Sequence, residues 1–441
     1  MVTESGDPCA RFLFTPRAEA WVAEGRLVRS WRVSEPELAG DGEQVIEHER
    51  IPFVSYPYEW PVEMIEAAAS LTLSCAVEAL DDGYCLKDAT PYNILFRGPN
   101  AVFVDALSFE PRVPGDPTWL PYAQFVRSFV LPLLVHQHFG LPPGATLLAN
   151  RDGLEPEAVY RWCSWFQRLR PPFLGTVTLP NWLSKKDVEP AGYEAKRMDP
   201  ERAEFVLRAL LQGLKRTLKR AAPKPSGDSR WSNYLSTTAL YDEDQFRFKE
   251  AFVRDAMSEF QPRWVLDVGC NEGHFSAIAA KAHASVVAID SDPAVVGRTW
   301  KMASDSKLDI LPLVVDLSRP TPATGWRNRE GASFLDRAHG RFDLVMGLAV
   351  LHHMLVTERV PLPDALSQLA DLSSKYVLLE FVSPDDPMFQ RIVRGRSALY
   401  RHLTVERFEE EARRRFDVVR SARIDGLHRW LYLLRKKDFG S

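Results

Sequence analysis

Short apolar runs alternate with longer mixed segments throughout the C-terminal half of the chain. The runs occupy residues 264–268, 285–289, 310–315, 342–346 and 376–381. Apolar runs of this length predict buried strands, and the segments between them are long enough for helices. Such alternation is typical of a parallel sheet that is covered by helices on both faces. We therefore predict an α/β, doubly wound C-terminal domain.

The N-terminal half shows a different pattern, in which helical spacing of apolar residues dominates. Its β-like runs cover only residues 94–96 and 101–104. This pattern predicts a mostly helical α+β domain with a small sheet. The segments with helical length and spacing are residues 61–80, 118–139, 155–169 and 200–220.

A proline- and glycine-containing stretch separates the two halves. The sequence AAPKPSGDSR, residues 221–230, follows a basic helical run and contains two prolines and a Ser-Gly pair. Such composition predicts a helix end and a linker. A chain of 441 residues also exceeds what one core usually supports. We predict domains at residues 1–222 and 231–441, joined by a linker at residues 223–230.

Composition narrows the class of partner. The chain has 55 Lys and Arg against 59 Asp and Glu, so it has no excess positive charge to neutralise nucleic acid or an anionic membrane. No stretch approaches the ~20 apolar residues that span a bilayer, and the N-terminal residues do not resemble a leader. The five cysteines are scattered without a C-x-x-C pair, so no metal site is predicted. These features favour a cytoplasmic protein that acts on a small molecule, and they leave its oligomeric state open.

The first apolar run of the C-terminal half leads into a glycine turn and the start of a helix, in WVLDVGCNEGHFSAIAA. Gly269 and Gly273 leave the backbone open to a ligand, and the free amides of the helix start can bind it. Asn271 stands where a G-x-G-x-G turn has its middle glycine. Taken alone, this turn is also compatible with a purely structural tight turn.

Acidic residues follow the next two apolar runs. Asp290 ends the run SVVAID, about 20 residues beyond the glycine turn, where a carboxylate can accept from both ribose hydroxyls. Asp316 ends the run ILPLVVD and is placed to accept from the exocyclic amine of adenine. The fourth run ends near Gly347, beside the expected reacting centre. These positions together predict a nucleoside site at one edge of the sheet.

In motif order, residues 231–438 resemble the class I, or seven-stranded, methyltransferase superfamily. This resemblance implies a Rossmann-like domain with S-adenosyl-L-methionine as its cofactor. A dehydrogenase is the alternative, although the turn lacks G-x-G-x-x-G spacing and the VLHHM segment after the fourth run is typical of methyltransferases. The resemblance assigns to the cofactor Asp267, Gly269, Cys270, Asn271, Gly273, Asp290, Ser291, Asp316, Leu317 and Gly347.

Aromatic residues ahead of the glycine turn are further candidates. Trp231 and Tyr234 would form a lid over the cofactor, and packing against the sheet is the alternative role of such residues.

Methyl transfer is an in-line displacement, so the enzyme must align the acceptor and remove its proton. His352 and His353 follow the fourth run, and His353 matches the histidine of the E-H-V pattern in related methyltransferases. Either could act as a general base, and packing or helix capping is the alternative. Glu380 ends the fifth run and could bind a hydroxyl or amine acceptor, unless it is a solvated strand end.

The segment LKDATPYNILFRGPNAVFVDALSFE in the N-terminal half contains Asp88, Asn93 and Asp105. It resembles the catalytic loop and metal-binding aspartate of protein-kinase-like and aminoglycoside-kinase-like folds, which hold Mg²⁺ and orient a hydroxyl. Lys87 and the Ala106-Leu107 pair depart from that pattern, and no glycine-rich phosphate loop precedes it. We therefore predict a degenerate kinase-like domain for substrate recognition or scaffolding. Mg-ATP-dependent phosphotransfer and a non-catalytic scaffold remain alternatives.

The motifs of the two halves together, which include YPYEW at residues 56–60 and EFVSPDDPMFQR at residues 380–391, resemble a bacterial two-part methyltransferase family similar to nodulation host-specificity proteins. The resemblance covers most of the chain. It implies methyl transfer to an oxygen, nitrogen or carbon atom of a small molecule, such as a saccharide or secondary metabolite.

Overall fold

A computed structural model describes residues 2–4, 7–33, 43–183, 197–222 and 241–437. The chain divides into two units, residues 1–225 and 226–441. Trp231, Tyr234 and the predicted linker lie outside the described residues. Within the described part, no helix has both the length and the apolar character that crossing a membrane requires.

The N-terminal unit contains three small antiparallel sheets, with strand orders β1-β3-β2, β4-β7 and β5-β6. The predicted β-like runs pair as the hairpin β5-β6. The strands are β1 (Val2–Glu4), β2 (Ser30–Val33), β3 (Glu43–His48), β4 (Tyr84–Leu86), β5 (Ile94–Arg97), β6 (Asn100–Phe103) and β7 (Phe109–Pro111).

Helices make up most of the rest of this unit, as predicted. The helix Val62–Ala79 is buried along most of its length because its apolar and small residues cover more than one face. The same unit contains an aromatic cluster, in which the rings of Phe12 and Phe109 stack with centroids 4.4 Å apart. The helices are α1 (Pro8–Phe12), α2 (Pro16–Ala23), α3 (Val62–Ala79), α4 (Tyr122–Phe125), α5 (Leu131–Phe139), α6 (Pro143–Ala149), α7 (Pro156–Trp162), α8 (Trp165–Arg168), α9 (Leu179–Leu183) and α10 (Pro200–Ala221), with π-helical turns at Val126–Val130 and Leu174–Thr178.

The C-terminal unit is built on one seven-stranded sheet of order β10-β9-β8-β11-β12-β14-β13. Strands β8 to β12 run parallel, and β14 lies antiparallel between β12 and β13, so that β13 has the direction of the parallel strands. The strands are β8 (Trp264–Val268), β9 (Ser285–Asp290), β10 (Ile310–Val314), β11 (Phe342–Gly347), β12 (Ser373–Val382), β13 (Phe416–Arg423) and β14 (Arg429–Lys436).

All five strands predicted for this half are present, and the predicted doubly wound, Rossmann-like class is confirmed. Their residues are buried on both faces of the sheet, which explains why each reads as a continuous apolar run. The helices are α11 (Glu243–Phe260), α12 (His274–Lys281), α13 (Pro293–Asp305), α14 (Phe334–Ala338), α15 (Leu351–Val356), α16 (Leu362–Leu372), α17 (Pro387–Val393) and α18 (Val405–Arg413).

The strand order reverses at β8, which has β9 on one side and β11 on the other. Chain connections leave the sheet in opposite directions at such a point, and a crevice opens at the carboxyl ends of the strands. This topology places the predicted nucleoside site and the predicted catalytic histidines at one edge of the sheet.

Candidate functional site

A cavity of about 1120 Å³ lies at the carboxyl ends of the parallel strands of the C-terminal unit. Its wall contains the residues that follow β8, β9, β10 and β11, as the reversal of strand order leads us to expect. Of the predicted residues, those on the wall are Asp267, Gly269, Cys270, Asn271, Asp290, Ser291, Asp316, Leu317 and His353.

The glycine turn is fixed by its protein neighbours. The amides of Gly269 and Cys270 both donate to the carbonyl oxygen of Ile289, at 2.8 and 3.0 Å. Gly269 has φ 69°, and a Cβ atom there would collide with the side chain of Val350. Its glycine requirement therefore arises from left-handed backbone and from close packing, whereas the sequence suggested approach of a ligand.

Gly273 has a related structural role and does not line the cavity. It has φ 78° at the start of α12, and a Cβ atom would lie 2.6 Å from Cγ2 of Thr299. Gly347 does not line the cavity either. A Cβ atom at this position would lie 2.9 Å from Cδ1 of Leu379. Both glycines thus permit packing between elements of the sheet and its helices.

Asp290 links the end of β9 to the glycine turn. Its Oδ2 accepts from the amide of Asn271 at 3.0 Å, and its Oδ1 accepts from the amide of Asp292 at 3.0 Å. Burial raises the pKa of Asp290 above its ordinary value, although these backbone amides favour the ionised form. Each carboxylate oxygen keeps a lone pair for a ligand in the cavity.

Asp267 is only 3% exposed, yet it lies on the cavity wall. The hydroxyl of Ser276 donates to its Oδ2 at 2.5 Å. Burial, with the nearby charge of Asp290, raises the pKa of Asp267 to about 7. The carboxyl is therefore ready to ionise when a cation binds beside it.

Two neighbouring polar groups complete this part of the wall. Asn271 has φ 49°, and its buried Oδ1 has no hydrogen-bond partner within the described part of the chain. The thiol of Cys270 is held neutral, since burial raises its pKa well above the ordinary value. An unpartnered buried amide oxygen is costly, so a ligand donor in the cavity would relieve it.

The far side of the predicted nucleoside site contains Asp316, which is half-buried. It accepts from Nη2 of Arg319 at 3.0 Å and from the amide of Ser318 at 2.9 Å. The adjacent Leu317 is buried on the wall, whereas Ser291 is exposed. An apolar surface beside an acceptor is suited to a base with an exocyclic amine.

The two adjacent histidines have different surroundings. His353 is half-buried on the cavity wall. His352 is 1% exposed, and neither ring nitrogen has a hydrogen-bond partner among the described residues. Burial, together with the charges of His353 and Arg429, lowers the pKa of His352 well below its usual range. Only His353 is therefore placed to meet a molecule in the cavity.

Glu380 is fully buried in an ion network and does not lie on the cavity wall. Its carboxylate is 2.7 Å from Nζ of Lys249 and accepts from the hydroxyl of Tyr241 at 2.5 Å. Arg429 contacts the same carboxylate and binds Asp386 with two hydrogen bonds, at 2.8 and 3.0 Å. Burial alone would raise the pKa of Glu380, but Lys249 and Arg429 lower it. The expectation of a solvated strand end is therefore wrong.

Five arginines on the cavity wall were missed by the sequence reasoning. Arg319 follows β10, and the other four follow β11 and β12, namely Arg359, Arg391, Arg394 and Arg396. The pattern R-x-x-R-G-R at residues 391–396 is the signal that could have drawn attention to them.

In the N-terminal unit, the residues of the kinase-like motif are brought together by hydrogen bonds. Nδ2 of Asn93 donates to the carbonyl of Asp88 at 3.3 Å and to the hydroxyl of Ser108 at 3.2 Å. The Ser108 hydroxyl in turn donates to Asp105 at 2.6 Å. Among the residues that the structure describes, no three His, Cys, Asp or Glu side chains are grouped so as to hold a metal ion.

Residues 241–438 match the family described as methyltransferase domain. The chain is 28% identical to nodulation protein NoeA from Rhizobium meliloti (strain 1021) over 430 residues. The alignment covers 95% of this chain and 88% of NoeA.

Two solved structures are also similar. WbdD is 20% identical, with a TM-score of 0.32, over 50% of this chain and 46% of its own, so the match spans about half the length of WbdD. The N-methyltransferase NodS from Bradyrhizobium japonicum WM9 is 16% identical, with a TM-score of 0.33, over 45% of this chain and 99% of its own. At these TM-scores neither likeness carries an argument about the site.

Proposed function

We propose, for a chain whose residues 241–438 form a methyltransferase domain, that the cavity at the carboxyl ends of β8 to β11 binds S-adenosylmethionine together with a small-molecule acceptor. The predicted enzyme class, a methyltransferase, is confirmed by the family match. The observation that carries the site assignment is that Asp267, Asp290 and Asn271 line the same cavity at the carboxyl ends of the strands.

The donor groups of the wall fit the chemistry of the cofactor. Asp267 would pair with the positively charged amino group of its methionine part, and Asp290 would accept from the ribose hydroxyls. Asp316 and Leu317 would border the adenine. The cavity, at about 1120 Å³, exceeds the roughly 300–1,000 Å³ of ordinary ligand sites, so it has room for an acceptor as well.

When bound, the cofactor would supply a methyl group attached to a sulfonium sulfur, and that sulfur would become a neutral thioether once the methyl group is transferred. The chain has to position the acceptor, exclude water and take its proton. We assign the proton to His353, because it is the member of the histidine pair that faces the cavity. His352 would hold the His353 backbone in place as a neutral packed ring.

Titration calorimetry of the full-length protein with S-adenosylhomocysteine tests the cofactor site. We expect binding in the wild type and a roughly tenfold or greater loss in Asp290→Asn, because a hydrogen bond to a charged acceptor contributes about 1.5–3 kcal/mol. The matched control is Asp309→Asn, since Asp309 directly precedes β10 at the opposite end of the strands and accepts from Ser285. Equal affinity in all three proteins would refute the assignment.

The proposal also covers the methyl acceptor and the role of the N-terminal unit. We propose an oxygen, nitrogen or carbon acceptor on a saccharide or secondary metabolite, and a recognition or scaffolding role for residues 1–222. The hydrogen-bonded chain from Asn93 through Ser108 to Asp105 favours a second candidate, Mg-ATP-dependent phosphotransfer in the N-terminal unit. Calorimetric binding of ATP with Mg²⁺ that is lost in Asp105→Asn would support that candidate, and no heat of binding would reject it.

A further inference from the structure

Besides Arg319, four arginines line the cavity wall, Arg359, Arg391, Arg394 and Arg396, together named here the arginine cluster. We propose that it binds an oxyanion of the acceptor, so that the methyl acceptor is an anionic small molecule that carries a phosphate or carboxylate group. This inference rests on the proposed function, because it names the substrate class of the same cavity.

The charges of the arginine cluster are not neutralised by the protein. Within the described part of the chain, none of the four guanidinium groups forms an ion pair. Arg391 contacts only the sulfur of Met388 at 3.7 Å, and Nε of Arg396 reaches the carbonyl of Val393 at 3.5 Å. These contacts leave the positive charge available to a ligand.

Other cations of the same cavity are already paired. Nη2 of Arg319 lies 3.0 Å from Asp316 and 3.5 Å from Glu358. Lys249 is 2.7 Å from Glu380. The arginine cluster is therefore an excess of positive charge on one side of the cavity, and it is not part of a general surface network of ion pairs.

The topology separates the arginine cluster from the carboxylates that we assign to the cofactor. Asp267 lies in β8 and Asp290 ends β9, whereas Arg359 follows α15 beyond β11. The other three arginines lie in or just after α17, which follows β12. In the sheet order β9-β8-β11-β12 the two carboxylates come from β8 and β9, and the arginines come from segments that follow β11 and β12. The arginine cluster therefore belongs to the acceptor side.

Arginine chemistry favours an oxyanion over other acceptors. The guanidinium group donates two parallel hydrogen bonds to phosphate or carboxylate, and such charge-assisted pairs are roughly twice as strong as neutral ones. A cleft lined by one sign of charge also concentrates ligands of the other sign. A cationic acceptor would be repelled by the arginine cluster and by the sulfonium of the cofactor together.

The test uses full-length protein saturated with S-adenosylhomocysteine, titrated with pyrophosphate and separately with succinate at constant ionic strength. The variant is Arg391→Gln/Arg396→Gln. Arg394 is left unchanged because its φ of 47° is left-handed. The matched control is Arg413→Gln/Arg435→Gln, two exposed arginines that pair with Glu409 and Asp417.

We expect the wild type and the control to bind one probe at least tenfold more tightly than the cavity variant does. Preference for pyrophosphate identifies a phosphate-bearing acceptor, and preference for succinate identifies a carboxylate. Equal affinity in the wild type and the cavity variant, or no binding of either probe to the wild type, would overturn the proposal.

Two further measurements keep the result interpretable. S-adenosylhomocysteine should bind the cavity variant as tightly as the wild type, and its failure to bind the wild type would count against the proposed function alone. If the glutamine variant does not fold, Arg391→Lys/Arg396→Lys replaces it. Lysine keeps the charge but not the two-pronged contact, so probe affinity should fall below that of the wild type, and an unchanged affinity would contradict bidentate binding.

Discussion

At the scale of single residues, the raised pKa of Asp267 would make binding at the proposed cofactor site depend on pH. Its pKa is raised to about 7 by burial and by Asp290, so about one tenth of the carboxyl is ionised near pH 6 and about nine tenths near pH 8. If the ionised form pairs with the amino group of the cofactor, affinity must rise as the carboxyl loses its proton.

We predict that the affinity for S-adenosylhomocysteine increases roughly tenfold between about pH 6 and about pH 8, because the ionised fraction changes by that factor. Calorimetry in buffers of matched ionic strength measures this affinity at each pH. In Asp267→Asn the affinity should be lower and nearly independent of pH over this range. A pH dependence that persists in the variant would assign the titration to another group.

The two histidines provide a matched pair for the chemical step. We predict that His353→Gln lowers turnover by roughly 10²–10⁴, once an acceptor is known, while the affinity for S-adenosylhomocysteine stays unchanged. His352→Leu should retain most of the turnover, because the buried ring makes no hydrogen bond within the described residues. Steady-state kinetics distinguishes them, and equal losses in both variants would argue for a structural role of the pair.

At the scale of elements, the buried ion network fastens α11 to the sheet. Lys249 lies in α11, Glu380 in β12 and Arg429 in β14, and all three are nearly or completely buried. The two positive charges, on Lys249 and Arg429, are balanced by the two carboxylates, on Glu380 and Asp386. Removing one charged side chain of the network leaves its nearly buried partner without a counter-charge. This loss costs more free energy than the intact ion pair contributes.

We predict that Glu380→Gln lowers the free energy of unfolding by about 3–5 kcal/mol, because Lys249 loses its counter-charge. Urea unfolding measures the loss, and Lys249→Met in the same chain should restore part of it. The pKa of Glu380 is lower in the folded chain than the ordinary 4.5. Its contribution is therefore fully present above that value and is lost as the pH falls through the folded pKa. A variant as stable as the wild type would contradict this role.

The five parallel strands could be predicted because burial on both faces makes each a continuous apolar run. Strand β13 was not predicted, since beyond Phe416 it alternates between exposed and half-buried positions and contains Asp417, Arg420 and Arg423. An edge strand with one wet face resembles a polar loop when only apolar runs are counted.

The same limit applies to the site. Acidic residues at strand ends could be found from spacing alone, as Asp290 illustrates. The partners of Glu380 could not, because Lys249 and Arg429 approach it only through the folded sheet. The glycine turn was found, but the contact of Gly269 with Val350 depends on a segment after β11. Arginines after β12 were overlooked because charged turns are usually solvated.

At the scale of the whole molecule, the two candidate sites lie in different units of the chain. The cavity that we assign to the cofactor is lined only by residues of the C-terminal unit within the described chain. The hydrogen-bonded motif of Asp88, Asn93 and Asp105 lies in the N-terminal unit. A ligand stabilises only the state to which it binds, so each site can be tested by where protection appears.

We predict that S-adenosylhomocysteine at about 100 times its dissociation constant slows amide exchange in β8, β9 and β11 by up to about 100-fold, since such occupancy stabilises the bound state by about 2.7 kcal/mol. Amides of α3 and of the hairpin β5-β6 should be unaffected. Hydrogen exchange with mass spectrometry resolves these segments, and Asp290→Asn is the control in which the protection factor should fall about tenfold or more at the same ligand concentration. Protection of α3 by S-adenosylhomocysteine would contradict a cofactor site confined to the C-terminal unit. Protection of the Asn93 segment by ATP with Mg²⁺ would instead support the phosphotransfer candidate, because it would show that the nucleotide binds at this motif.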